Sequence, residues 1–150
     1  MLPQLQEHET CGRQECFLHQ NGGKGDCNRE GVVYMGQCEV CRNQGIVSKY
    51  IGETSRSLFV RGKQHKAAIR QNNVNNAFRK HINEYHPNET RGNDIFRMKV
   101  LKSYQRPLER QIAEGVIIHN LHVDADITMN SKLDHYQPAI TRVTFTNELL

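Results

Sequence analysis

The stretch KYIGETSRSLFVRGKQHK, Lys49–Lys66, decides the fold. Its opening IVSKYI (Ile46–Ile51) is β-branched and aromatic, which predicts a strand, and Gly52 follows as a turn residue. TSRSL then offers Thr and Ser as N-caps to a helix from about Ser57 to Arg70. Arg61 and His65 stand four apart, hence on one face of that helix. A strand, a turn and a helix with a solvated charged face would explain this much without any site.

Working outward, GVVYMGQ (Gly31–Gln37) predicts an earlier strand, joined to the next by a hairpin-like loop, CEVCRNQG. The Asn-rich QNNVNN ends the first helix, and a second covers about Asn76–Tyr85 before Pro87. DIFRMKVLKSY (Asp94–Tyr104) reads as a third strand, with Ile95, Met98, Val100 and Leu101 alternating imperfectly. Pro107 suits the first turn of a helix reaching about Asn120, with Leu108, Ile112, Val116 and Ile117 as its buried stripe. Weak strand signals recur near Ile140–Phe145. The order predicts an α+β domain: a small, mainly antiparallel three-stranded sheet flanked by helices. Residues 31–150 form that domain, and residues 1–30, poor in periodicity and carrying the loop-like NGGKGD, form a segment that needs a cross-link to stay ordered.

With 150 residues, 37% of them hydrophobic and no Trp, the chain builds a modest core that staples would help. No run approaches the ~18–20 apolar residues of a membrane span, and MLPQLQEHET lacks an apolar signal region, so the chain reads as soluble and intracellular. The net charge of +4 is unevenly spread. Between Thr54 and Asn83 there is no acidic residue, while Arg56, Arg61, Lys63, Lys66, Arg70, Arg79 and Lys80 all fall there, so the remainder is net negative. A one-signed stretch on a mixed chain is the footprint of a polyanion-facing surface.

All five cysteines lie in the first 41 residues, and an odd number cannot all pair as disulfides. Their spacing points to zinc. Cys38-x2-Cys41 with His81-x4-His86 makes a Cys2His2 set, and Cys11-x4-Cys16-x2-His19-x7-Cys27 makes a second, with His8 as an alternative fourth ligand. If both sites form, every cysteine is used.

Two tyrosine strands, a helix with Arg and His, and a late helix with Glu resemble the GIY-YIG endonucleases. GVVY stands at the first motif with Tyr34 as its tyrosine, and Tyr50, Ile51 and Gly52 match the second in full. Arg61, His65, Glu114 in RQIAEGVII and Asn130 in MNSK fall at the family's later positions, so the likeness spans roughly Gly31 to Val143. It is nearest to the endonuclease domains of Penelope-like retroelements, which split the two motifs with a Cys-x2-Cys, place two histidines after the motif helix and often carry an upstream cysteine cluster. Here the first motif is Val-Val-Tyr, His19 stands where Cys is frequent, and Gly115 follows the glutamate where alanine is usual.

The resemblance implies a DNA endonuclease that hydrolyses phosphodiester bonds for mobile-element insertion, with a nuclear address and a reverse transcriptase as a domain of the natural protein. It implies Glu114 as ligand of a catalytic Mg²⁺ or Mn²⁺, with Glu109 as the rival carboxylate. Arg61 would hold the scissile phosphate, Tyr34 would act as general base or water orienter, Tyr50 and His65 would position water and phosphate, and Asn130 completes the set. Arg56, Lys63, Lys66, Arg70, Arg79 and Lys80 would receive the DNA backbone. The other reading of the same residues is a non-catalytic, zinc-dependent nucleic-acid-binding module, the remnant of a mobile element. A third, a zinc domain for protein interaction, would need neither Arg61 nor the one-signed surface.

Overall fold

The computed structural model describes residues 11–23 and 25–130. Its elements run α1 (Phe17–Gln20), β1 (Glu30–Cys38), α2 (Glu39–Asn43), β2 (Ser48–Ser57), α3 (Leu58–Arg70), α4 (Ala77–Tyr85), a 3-10 turn (Gly92–Ile95), β3 (Phe96–Ser103), α5 (Pro107–Asp124) and β4 (Ile127–Thr128). The predicted strand near Ile140–Phe145 lies outside the described residues.

β1 is the centre of the sheet because both of its faces are apolar: Val32 and Tyr34 point one way, Val33 and Met35 the other. It pairs antiparallel with β2 on one side and β3 on the other, in the order β3-β1-β2-β4. The Val32–Tyr34 face is covered by α1, α3 and α4 through Phe17, Leu18, Leu58, Ile69, Phe78 and Ile82. The Val33 face, joined by Ile51 of β2, is covered by α5 through Ile118 and Leu121.

The sheet has four strands and is mixed, not three-stranded. After α5 the chain returns to the free edge of β2 and pairs parallel to it, Ser48 with Ile127 and Lys49 with Thr128. Two residues carry no periodicity, so sequence alone gave no sign of this strand. β2 also runs to Ser57, beyond the expected end at Ile51, because the polar Thr54–Ser57 run still pairs with β1 (Glu30 opposite Ser57). Ser57 then caps α3, its hydroxyl accepting from the Val60 N–H at 3.3 Å. The loop expected between the first two strands contains the short helix α2.

α5 is rotated from the predicted stripe. Leu108 is 45% exposed, and the inward positions are Arg110, Ala113, Ile117, Ile118 and Leu121. The helix phase is fixed by Arg110, whose Nε donates to Glu53 Oε2 of β2 at 2.5 Å within the interface.

The Cys11–Cys27 segment shares the main core and is not appended to it. Phe17 and Leu18 are fully buried, the Asn21 amide donates to the carbonyls of Asp94 and Phe96 at 2.7 and 2.8 Å, and the Phe59 N–H donates to the Cys27 carbonyl at 2.8 Å. Backbone meets backbone at Gly23, where a Cβ would stand 2.0 Å from the Leu18 carbonyl oxygen and 2.2 Å from that of Met98.

Candidate functional site

Strand register places Tyr34 of β1 opposite Gly52 of β2, and Gly36 opposite Tyr50. The glycine of Tyr-Ile-Gly is therefore more than a turn residue. A Cβ on Gly52 would lie 2.4 Å from the Tyr34 phenol oxygen, so its bare backbone is the floor on which that ring rests. Gly52→Ala is expected to push the phenol aside and to cost about 1–3 kcal/mol, as overpacked core positions do. A denaturant midpoint equal to the parent's would exclude this.

α3 carries Arg61 and His65 one turn apart above the two tyrosines. Tyr34 Oη and His65 Nε2 are 2.8 Å apart, and Arg61 Nε donates to the same oxygen at 3.3 Å. Tyr50 lies against both groups: its ring is 6.2 Å from that of Tyr34 and 6.0 Å from the His65 imidazole. The guanidinium is steadied from outside by Gln64, which accepts from Nη1 at 3.0 Å.

Electrostatics follow from depth. Burial pushes the Tyr34 hydroxyl well above the usual tyrosine value, and neighbouring Tyr50 adds to this, while the Arg61 charge and hydrogen bond work against it. Burial, then the Arg61 charge, lowers His65 to about 3, so its imidazole is neutral at physiological pH. Arg61 loses some solvation by burial, but the two tyrosines outweigh that and keep it protonated.

Tyr50, Arg61 and His65 line a cleft of about 460 Å³ together with Asn76, Lys80, Glu84 and Asn130. Tyr34 is 0% exposed and reaches that cleft only through its partners. Asn130 is held by backbone: its Oδ1 accepts from the Ile51 N–H at 2.9 Å and its Nδ2 donates to the Ile51 carbonyl at 2.8 Å. It extends the parallel pairing of β4 by one side chain. Glu114 sits half-buried on the inward stripe of α5, one turn from Arg110, and is not in the cleft lining. Glu109, its rival, is exposed beside Arg106 at 3.9 Å.

The basic residues divide. Lys80 is in the cleft, Lys63, Lys66 and Arg70 line a shallow depression with Glu15 and Asn93, and Arg56 borders another with Ser57 and Val60. Lys63 pairs with Glu15 at 3.5 Å, an exposed contact of little energetic weight. Arg79 is turned to protein, donating to Asn83 and to the Ile69 carbonyl.

Both predicted Cys/His sets are assembled, with ligand atoms in each within 4.8 Å of one another. Cys38 Sγ is 3.5 Å from His86 Nε2, and Cys41 Sγ is 3.4 Å from His81 Nε2 and 3.2 Å from His86 Nε2. A tetrahedron with Zn–S of ~2.3 Å and Zn–N of ~2.0–2.1 Å has S···N edges of about 3.5 Å, so the set fits zinc. The site ties α2 to α4. His81 turns Nε2 toward Cys41 Sγ, and its buried Nδ1 has no hydrogen-bond partner among the described residues.

In the N-terminal set Cys16 Sγ is 3.4 Å from His19 Nδ1, and His19 Nε2 is 3.1 Å from the Gly25 carbonyl. That carbonyl fixes the proton on Nε2 and frees Nδ1 for a metal. Arg13 donates to Cys27 Sγ at 3.0 Å. Burial resists Cys11 ionisation, but hydrogen bonds from Arg13, His19 and Cys16 bring it down to about 6. Burial dominates at Cys27 and Cys38, each pushed up to about 12, so those thiols need a cation to ionise.

Comparison with family models, with curated proteins and with solved structures found no match. Sequence reasoning missed Arg13, Gln64 and Asn76. Asn76 was visible only as a helix N-cap, because its second partner, His65, lies 11 residues back across a turn.

Proposed function

We propose that this chain is a zinc-stabilised DNA endonuclease of the GIY-YIG type, nearest to the Penelope-like retroelement group and serving mobile-element insertion. The observation that supports it best is the convergence of Tyr34, Tyr50, Arg61 and His65, from two strands and a helix, on one polar cleft beside a one-signed surface. A guanidinium at a cleft wall stays protonated and can receive an anion such as a phosphate.

In this reading a phosphodiester enters the cleft between Arg61 and Lys80. Arg61 donates to a non-bridging oxygen with the part of its fork that the tyrosines and Gln64 leave over. Tyr50, at the cleft wall, contacts the phosphate or the attacking water, and buried Tyr34 supports Tyr50 from behind. Water adds to phosphorus and gives up a proton to solvent, the P–O bond to the leaving oxygen breaks, and that oxygen takes up a proton from solvent. Mg²⁺ keeps waters and phosphate oxygens as most of its ligands, so the one carboxylate of Glu114 fits such an ion, which would offset the charge that develops on the phosphate. Lys63, Lys66 and Arg70, on the exposed side of α3, extend the contact along the DNA backbone. A nuclear location and an attached reverse transcriptase belong to the same proposal.

The competing reading, a zinc-dependent nucleic-acid-binding module, draws on Asn130, which is committed to Ile51, and on Glu114, which stands outside the cleft lining. Supercoiled plasmid separates the two. With Mg²⁺ or Mn²⁺ the parent is expected to nick or linearise it, and Glu114→Ala to slow this by about 10²-fold or more while DNA binding is kept. Equal DNA binding by both proteins with cleavage by neither would leave the binding module as the function.

A further inference from the structure

We propose that Asn76, the N-cap of α4, is a positioning residue that fixes the His65 tautomer, so that His65 donates its Nε2–H to the Tyr34 hydroxyl rather than taking its proton. The catalytic half of this rests on the nuclease reading; the tautomer does not.

The orientation of the Asn76 amide is set by the helix it caps. Its Oδ1 accepts from the N–H groups of Phe78 and Arg79 at 3.0 and 3.2 Å, two of the unpaired donors of the first turn. That leaves Nδ2 facing His65 Nδ1 at 2.9 Å. An amide nitrogen only donates, so Nδ1 is the acceptor and the neutral ring carries its proton on Nε2. Nε2–H therefore donates to the Tyr34 oxygen at 2.8 Å. Arg61 Nε donates to the same oxygen.

Two N–H donors meet the Tyr34 oxygen, so its own proton points away from both His65 and Arg61. His65 is thus a donor, and cannot act here as the base that takes a proton from Tyr34. With the proton on Nδ1 instead, Nε2 would accept and Tyr34 would donate to His65. The ring cannot turn to escape the choice, being 1% exposed and set edge-on to Phe78 at 4.7 Å.

Asn76→Asp is the informative variant. Aspartate caps a helix about as well as asparagine, so fold and zinc content are expected to stay, but its second oxygen would accept from Nδ1 and pull the proton there. The full zinc-loaded chain, labelled with ¹⁵N-histidine and with His65 assigned from His65→Gln, is read by long-range ¹H–¹⁵N correlation alongside plasmid nicking. The parent should show Nε2–H, Asn76→Asp should show protonated Nδ1, and nicking should fall by about tenfold or more. Asn76→Ser, which keeps a cap but loses the amide, should mix the tautomers and nick at an intermediate rate, and serves if the aspartate variant fails to fold. An Nδ1–H parent overturns the assignment, and a switched tautomer with equal or faster nicking overturns the catalytic role. A parent that shows Nε2–H and cuts no DNA upholds the tautomer and overturns the nuclease reading.

Discussion

Cys41→Ser is expected to remove one equivalent of zinc and to lower the thermal midpoint by about 10 °C or more, for a loss of several kcal/mol. Cys41 Sγ stands between His81 and His86, 3.4 and 3.2 Å from their Nε2 atoms, so its loss opens two edges of the tetrahedron at once. The damage would not stay local. His81 and Ile82 share α4 with Phe78, whose ring packs on Tyr50, His65 and Phe96. Releasing α4 therefore loosens the core and the cleft together. A chelator should reproduce the effect in the parent, and acid should as well, since protons compete with zinc for thiolate and imidazole. Zinc analysis together with a thermal melt decides the matter: unchanged metal content with an unchanged midpoint would rule out a metal at this set.

Arg61→Ala is expected to leave the fold in place and to reduce plasmid cleavage by about 10²–10³-fold, the range for losing a preorganised charged donor. Arg61 is half-buried, donates to Tyr34 and holds Gln64, but no core side chain depends on its bulk. Its removal takes away both the phosphate clamp and the cation that steadies the two phenols. Arg61→Lys should recover only part of the rate, because an ammonium cannot reach both tyrosines and a phosphate in one plane. A spectroscopic check is built in. The Arg61 charge is the second cause, after burial, that lowers His65 to about 3, so the His65 titration in Arg61→Ala should move upward. Full cleavage by Arg61→Ala would exclude it from phosphate binding.

Much of the site was legible because its residues are spaced along local elements. Arg61 and His65 are a turn apart, and the five spacings within the cysteine and histidine runs are short; each is a relation within one element or one loop. The α5 stripe was misplaced for the opposite reason. Of Leu108, Ile112, Val116 and Ile117, Ile117 does pack inward, but Leu108 is exposed, and Ala113, Ile118 and Leu121 complete a face that fits helical spacing as well; only contact with the sheet chooses between the two. β4 was invisible because two residues have no period. Asn130 was legible as a residue of interest, while its engagement with the Ile51 backbone depends on where α5 delivers the chain.

By itself, then, the sequence determined the α+β class, the helices near Ser57–Arg70 and Asn76–Tyr85, the apolar first strand and the grouping of the cysteines and histidines into two candidate sets, since these depend on spacing, capping and side-chain chemistry that neighbours in the chain already express. Tertiary structure alone decided that Tyr34 is sealed behind Tyr50, that Gly52 is the floor beneath its ring, that the N-terminal segment is part of the core, and which way the hydrogen-bond chain through His65 runs. Those depend on close approach between residues far apart in sequence. A contact at 2.8 Å between positions 34 and 65 has no local signature, because it exists only once β1 and α3 have been brought together by the apolar face between them.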